Sequence, residues 1–177
     1  IAEVRKQTES GYKYTIEGVV TSNASGYDKT TAFFDCIYVQ DATGGVCCFP
    51  ISGDFKLGDV VRVTATTHFF QGEAELQVVS AEKLGETTPV EPTVITAAQL
   101  NNRSKEGLLA TIKGTVTKIT EASGLPESIY VKDESGEVAR VFIDGYICSQ
   151  MEIAGLKVGC SIEATGLASY DDTYAIE

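Results

Sequence analysis

The chain has 177 residues, of which 43% are hydrophobic, 22% charged and 8% aromatic. This composition is typical of folded domains and excludes disordered, collagen-like and coiled-coil proteins. The formal net charge is −11, from 14 Lys and Arg against 25 Asp and Glu, and it disfavours a long basic footprint on duplex DNA. No apolar run reaches the ~18 residues that a membrane span needs, so we expect no membrane insertion.

The sequence contains an internal repeat. Residues 14–21 (YTIEGVVT) recur as 110–117 (ATIKGTVT), 37–46 (IYVQDATGGV) as 129–138 (IYVKDESGEV), and 57–65 as 158–166, in the same order. Two copies of one domain explain this pattern. We place the first domain at 1–88, a linker at 89–94 and the second domain at 95–177. The linker region is rich in proline, which favours an extended and fairly stiff connection.

Each copy opens with a short amphipathic segment, Ile1–Arg5 and Ala97–Leu100, whose apolar spacing predicts one or two helical turns. The rest of each copy alternates apolar and polar residues, as half-buried strands do. In the first copy Val61, Val63 and Ala65 are predicted to point inward on the fourth strand. The fifth strand is predicted over residues 74–84.

Glycines mark the bends of the predicted strands. Gly18 and Gly114 lie in the middle of the first strand of each copy, where a strand must bend to serve two sides of a small barrel. Residues 41–45 and 133–136 are predicted to form the hairpin turns between the second and third strands, with glycine supplying a positive φ.

These elements predict an all-β protein made of two tandem OB-fold five-stranded Greek-key barrels, each with a short N-terminal helical segment. The repeat aligns Ile176 with Leu76, so the second copy stops inside its fifth strand. The sequence also begins at Ile1 without an initiator Met or a signal-peptide pattern. We therefore interpret it as a segment of a longer protein.

The chain contains five cysteines, and their spacing argues against a metal site. They are Cys36, Cys47, Cys48, Cys148 and Cys160. The absence of a C-x-x-C pair excludes zinc sites and thioredoxin-type motifs of the usual spacing. Two interpretations remain open: small hydrophobic residues in strands, or one structural disulfide among them.

Residues for catalysis or metal binding are sparse. His68 is the one histidine, so a histidine-based metal cluster or relay cannot be assembled. The acidic pairs Asp133-Glu134 and Asp171-Asp172 lie at predicted turns or loops, where they are either solvated or part of a calcium site. The D-x-D-x-D-G spacing of a calcium loop is absent. We expect no catalytic residue, no metal and no cofactor.

Three motifs carry a family resemblance: residues 16–21 (IEGVVT), 38–46 (YVQDATGGV) and 57–64 (LGDVVRVT). Together they resemble a family of bacterial OB-fold modules, often in tandem, found beside endonuclease, nucleotidase and metallophosphoesterase domains in surface or secreted proteins. The resemblance covers nearly the whole chain, twice. It implies a secreted or cell-surface location and a role in binding single-stranded nucleic acid. The motifs specify strands and turns rather than chemistry.

OB-folds bind ligands along strands two and three, flanked by the loops that join strands one to two and four to five. In the first copy these positions predict an aromatic ligand face composed of Tyr27, Lys29, Phe34, Tyr38, His68, Phe69 and Phe70. Bases or sugars could stack on such aromatic rings. The alternative is that Phe69 and Phe70 fold over the barrel mouth and Tyr38 packs on the neighbouring copy.

The second copy is locally more basic at the related positions. We predict its ligand residues to be Lys118, Tyr130, Lys132 and Arg140. The three cations would contact phosphates, or they are solvated side chains on a strand face.

Two functions follow from these predictions. The first is a non-catalytic binding module of a larger extracellular protein that holds single-stranded nucleic acid, which the net charge of −11 opposes. The alternative is an oligosaccharide- or protein-interaction module, or a spacer that positions neighbouring domains. We expect the chain to be a monomer in either case.

Overall fold

The structure is a computed structural model that describes residues 1–22, 36–143 and 150–174. Within these ranges the chain is mostly β, with a closed five-stranded barrel followed by a second sheet. The predicted all-β class is confirmed. None of the helices in the described ranges is long and apolar enough to cross a bilayer.

The elements from the first helix to the last barrel strand, called the first unit below, are one short helix and the five strands of the barrel. Its elements are α1 (Ala2–Lys6), β1 (Lys13–Val20), β2 (Ile37–Asp41), β3 (Gly44–Phe49), β4 (Asp59–Phe70) and β5 (Glu73–Glu86). The strands close in the order β1-β2-β3-β5-β4. All neighbours are antiparallel except β3 and β5, which run parallel, and β4 closes the barrel on β1.

Alternate residues of each strand fill the barrel. Val61, Val63 and Ala65 of β4 are fully buried, as the alternation predicts, and they pack with Ile37 and Leu76 in one apolar core. Burial of such aliphatic side chains is the main stabilising contribution to a small barrel.

The second sheet and its flanking elements, called the second unit below, include a short strand within the predicted linker. Its elements are β6 (Thr93–Val94), α2 (Ala97–Asn101), β7 (Leu109–Ala122), β8 (Leu125–Lys132), β9 (Val138–Phe142) and β10 (Ser161–Leu167), with 3-10 turns at Gln150–Ile153 and Asp172–Tyr174. The sheet order is β10-β7-β8-β9, and β6 pairs in parallel with β7. Thr96 caps α2, because its hydroxyl accepts a hydrogen bond from Gln99 N while the Gln99 side chain accepts one from Thr96 N.

The two mid-strand glycines have a clear physical role. A Cβ atom at Gly18 would lie 2.7 Å from the carbonyl oxygen of Gln40, and one at Gly114 would collide with the carbonyl oxygen of Lys132. Each first strand can therefore bend close to its neighbour only because no side chain intervenes.

The hairpin of the second unit is one residue longer than that of the first. Gln40, the equivalent of Lys132, pairs with Gly45 in the first unit, with four residues between them. In the second, Lys132 pairs with Val138, and Gly136 has a φ of 88° in the intervening turn. The extra residue sets which side chains of β9 point outward.

Candidate ligand-binding face

The second unit covers Tyr38, the central residue of the aromatic face predicted for the first unit. Tyr38 is only 6% exposed and packs with Cys36, Cys47 and, from the second unit, Leu167. This placement matches the alternative in which Tyr38 packs on the neighbouring copy. Tyr38 is therefore removed from any open ligand face.

Close backbone contact brings the two units together. A Cβ atom on Gly45 would collide with the carbonyl oxygen of Gly107, and one on Gly107 would collide with that of Gly45. Beside this contact, Leu109 N donates a 3.0 Å hydrogen bond to Gln40 Oε1. The outward side of β2 and β3 is thus the docking surface for the second unit.

A buried carboxylate anchors this interface electrostatically. Glu106 is 5% exposed and pairs with Arg103 Nε at 2.5 Å and with Arg5 of the first unit at 3.1 Å. Burial opposes its ionisation, but the hydrogen bond from Arg103 and the charge of Arg5 outweigh burial and hold the pKa of Glu106 below its ordinary value. Arg103 also donates to the carbonyl of Gly72 at 2.7 Å and lies 3.9 Å from the ring centre of Tyr170.

A second buried carboxylate in the interface behaves in the opposite way. Glu73 accepts hydrogen bonds from the hydroxyls of Tyr38 at 2.8 Å and Ser169 at 2.7 Å. Burial raises the pKa of Glu73 to about 7 despite these two donors, and the nearby carboxylates of Glu106 and Glu75 add to the effect. At neutral pH Glu73 therefore titrates inside the interface.

We expect Glu73→Gln to stabilise the protein by about 3 kcal/mol at pH 8 and by less than about 1 kcal/mol at pH 5. The folded pKa lies above the unfolded one, so the folded protein binds the extra proton between about pH 4.5 and 7, and ionised Glu73 costs up to about 3 kcal/mol above that window. Gln mimics the protonated acid and removes this cost. Urea unfolding at both pH values measures the difference.

The control for Glu73→Gln is Glu91→Gln, an exposed residue that changes the net charge equally. An equal loss of stability at pH 5 and pH 8 in Glu73→Gln would show that the carboxylate itself is required.

The other residues predicted for the first face lie at the end of β4. His68 is exposed, Phe69 is half-buried and Phe70 is 56% exposed. The turn that follows them touches the second unit, since a Cβ at Gly72 would lie 2.8 Å from the Tyr170 ring. Tyr27, Lys29 and Phe34 lie outside the described residues. Phe70 and His68 are thus exposed, whereas Tyr38 is buried.

The second unit, in contrast, brings three of its predicted residues into one row. Lys118 of β7 pairs with Tyr130 of β8, and Tyr130 pairs with Arg140 of β9. The Lys118 ammonium lies 5.0 Å from the centre of the Tyr130 ring. Such cation–ring contacts hold the charged groups and the ring in one surface.

Arg140 extends this row to a second aromatic residue. Its guanidinium lies 4.8 Å from the centre of the Phe142 ring, and its Nε donates to Ser128 Oγ at 2.9 Å. Phe142 is 50% exposed. We call the surface formed by Lys118, Tyr130, Arg140 and Phe142 the basic–aromatic face. The buried Ser128 supports it through its hydrogen bond with Arg140.

Lys132 lies at the border of this face. It follows Tyr130 by two residues on β8, so both project from the same side of the strand. Lys132 also lines a groove of about 580 Å³ together with Lys113, Asp133 and Glu134. The ammonium group of Lys132 therefore lies between the basic–aromatic face and a groove that holds both acidic and basic side chains.

The strand pairings of the two hairpins show how the two units differ around Tyr38 and Tyr130. These two tyrosines are equivalent, but the positions around them change from small or neutral residues to polar or charged ones. The equivalent pairs are Ser22 and Lys118, Cys36 and Ser128, Gln40 and Lys132, and Cys47 and Arg140. The neutral set fits a buried contact between the units. In the second set Lys118 and Lys132 are exposed, Arg140 is half-buried and Ser128 is buried.

The chain matches no protein-family model and no curated protein. Across the described ranges, no group of three or more His, Cys, Asp or Glu side chains is placed to hold a metal ion. The basic–aromatic face combines the rings of Tyr130 and Phe142 with the positive charges of Lys118 and Arg140.

Proposed function

We propose that both units are OB-folds and that the chain is a non-catalytic module that binds single-stranded nucleic acid on the basic–aromatic face. The observation that carries the proposal is the row of Lys118, Tyr130 and Arg140 across three adjacent strands. The barrel order β1-β2-β3-β5-β4, with β3 parallel to β5, supports the OB-fold assignment. In that fold oligonucleotides bind along strands two and three.

The chemistry of the face suits a single strand. Tyr130 and Phe142 offer rings on which bases stack for about 1–3 kcal/mol each, without a required sequence. Lys118 and Arg140 flank Tyr130 on either side, about 10 Å apart across three strands. Phosphates on both sides of a stacked base would meet a cation.

Electrostatics limits the strength of this binding. The chain carries a net charge of −11. The basic–aromatic face contains two cations, Lys118 and Arg140, and Lys132 lies at its border. Three phosphate contacts predict a salt slope of about −2 for a single strand, hence about a 20-fold weakening between about 50 mM and 200 mM salt. We expect a modest, salt-sensitive affinity.

Tyr130→Ala is expected to weaken binding by about 5- to 150-fold, because it removes one stacking ring. Lys118→Ala is expected to reduce the salt slope by about 0.7, because it removes one phosphate contact. Fluorescence anisotropy with labelled single-stranded DNA and RNA at the two salt concentrations measures both effects.

Matched controls lie elsewhere on the chain. Lys113→Ala removes the same charge from an exposed pair with Glu163, five residues from Lys118 on β7. Phe70→Ala removes an exposed aromatic ring from the first unit. Absence of binding at about 50 mM salt, or unchanged binding by Tyr130→Ala, would overturn the proposal. A loss confined to Phe70→Ala would move the site to the first unit.

A second candidate function is an interaction or spacer module that binds an oligosaccharide or a protein, or positions neighbouring domains. The docked units favour it, because the first unit already uses the equivalent face for a protein contact through Tyr38. Sugar binding on Tyr130 would be lost in Tyr130→Ala but would not change between the two salt concentrations. In either function we propose a secreted or cell-surface location, which the family resemblance implies.

A further inference from the structure

Two cysteine side chains meet under the second unit. Cys36 Sγ and Cys47 Sγ are 3.1 Å apart, and the residues are 8% and 3% exposed. Cys36 precedes β2, while Cys47 lies in β3 and pairs with Tyr38. Both thiols belong to the small apolar cluster that packs against Leu167.

We propose that Cys36 and Cys47 form a disulfide that ties the start of β2 to β3 beneath the second unit. A disulfide bond is about 2.05 Å long, so the two sulfurs, now 3.1 Å apart, need to approach by about 1 Å. Cys36 precedes Tyr38, the partner of Cys47, by two residues, and the short distance between the sulfurs shows that the two side chains already converge.

The geometry selects this pair over the other described cysteines. Cys48 follows Cys47 on β3 and therefore projects to the opposite side, where it is fully buried in the barrel core. Cys160 is exposed and precedes β10 in the second unit. Cys148 lies outside the described residues. Among the described thiols, Cys36 and Cys47 are the two in reach of each other.

The oxidant we propose is a low-molecular-weight disulfide. One cysteine thiolate attacks it, a mixed disulfide forms, and one small thiol leaves. The second cysteine thiolate then attacks the mixed disulfide and releases the second small thiol. The two cysteines lose two electrons and two protons, and the oxidant gains them as two thiols.

The timing of this exchange follows from the surroundings of the thiols. The hydrogen bond with Cys36 and burial raise the pKa of the Cys47 thiol well above its ordinary value. The thiolate is the reacting form, so oxidation is slow once the second unit has docked. We expect the bond to form during folding, before the docking surface is covered.

The test uses the full chain refolded with oxidised glutathione, then denatured without reductant, alkylated and mapped by mass spectrometry. We expect two of the five thiols to be lost and one linked peptide pair to contain Cys36 and Cys47. The oxidised protein should melt several degrees above the reduced one, because the crosslink restricts the unfolded chain.

Cys36→Ala and Cys47→Ala should each remove the link and the melting shift, while Cys160→Ala should keep both. Because the mapping is made on the unsubstituted protein, it decides the question even if a variant fails to fold. Five alkylated thiols after refolding, or a link through a different cysteine, would overturn the proposal. Nucleic-acid binding is read separately on the basic–aromatic face, so the two proposals fail independently.

Discussion

Gly45→Ala is expected to separate the two units. Gly45 lies in β3 and faces Gly107 so closely that a Cβ atom would collide with the Gly107 carbonyl oxygen. Its backbone is not in the left-handed region, so alanine is compatible with the strand itself. The cost therefore falls on docking. Overpacking of this kind costs about 1–3 kcal/mol or more, and here the obstacle is rigid backbone.

Hydrogen exchange and small-angle X-ray scattering measure this separation. Leu109 N donates to Gln40 across the interface, so its exchange should accelerate in Gly45→Ala, and the radius of gyration should rise. The matched control is Gly85→Ala in β5, where an added Cβ meets nothing within 4 Å. Identical exchange and scattering in the two variants would contradict a close contact at Gly45.

Separation of the units also tests where a ligand binds. Gly45→Ala would uncover Tyr38, which the second unit buries. The basic–aromatic face is built within the second unit, so oligonucleotide binding should stay the same in this variant. A gain in affinity would show that the face around Tyr38 retains a latent site.

Much of the first barrel could be predicted from the sequence, because local patterns determine it. The alternation in β4 placed Val61 and Val63 correctly in the core, and the mid-strand glycines marked the close strand contacts. These features depend on neighbours in one strand or hairpin. Local patterns of this kind are readable without knowledge of the rest of the chain.

The environments of Tyr38 and Tyr130 could not be predicted in the same way. The two tyrosines occupy matching positions in the repeat, yet one is buried by docking and the other flanks Lys118 and Arg140. Docking is a long-range contact that leaves little trace in strand alternation. The available signal was the set of small or neutral outward residues around Tyr38, including Cys47.

Phe142 was missed for a different reason. Arg140, two residues earlier on β9, was predicted to face a ligand, and the prediction was not extended along the strand. Alternate residues of a strand share one side, so the same pattern also indicated Phe142. The structure places Phe142 beside Arg140 with half of its side chain exposed.

Glu106→Gln is expected to destabilise the docked protein by about 3 kcal/mol. The substitution leaves Arg5 and Arg103 facing a neutral amide at a site where Glu106 is 5% exposed. Removal of one partner from a buried ion pair costs about 3–5 kcal/mol, and the partial exposure of Arg103 favours the lower end. Chemical denaturation at neutral pH measures the loss.

The control for Glu106→Gln is Glu163→Gln, which breaks an exposed pair with Lys113 and should cost less than about 1 kcal/mol.

The effect of Glu106→Gln should also depend on pH. The pKa of Glu106 is lowered in the folded state. The stabilisation that ionised Glu106 gives the folded protein is therefore complete above the ordinary pKa of about 4.3 and is lost as the pH falls through the folded value. The difference in the free energy of unfolding between wild type and Glu106→Gln should therefore narrow in acid. The cost of ionising Glu73, in contrast, grows between about pH 4.5 and 7 and is complete above that range. A stability difference between wild type and Glu106→Gln that stays constant down to about pH 3 would mean that Glu106 acts through packing rather than through its charge.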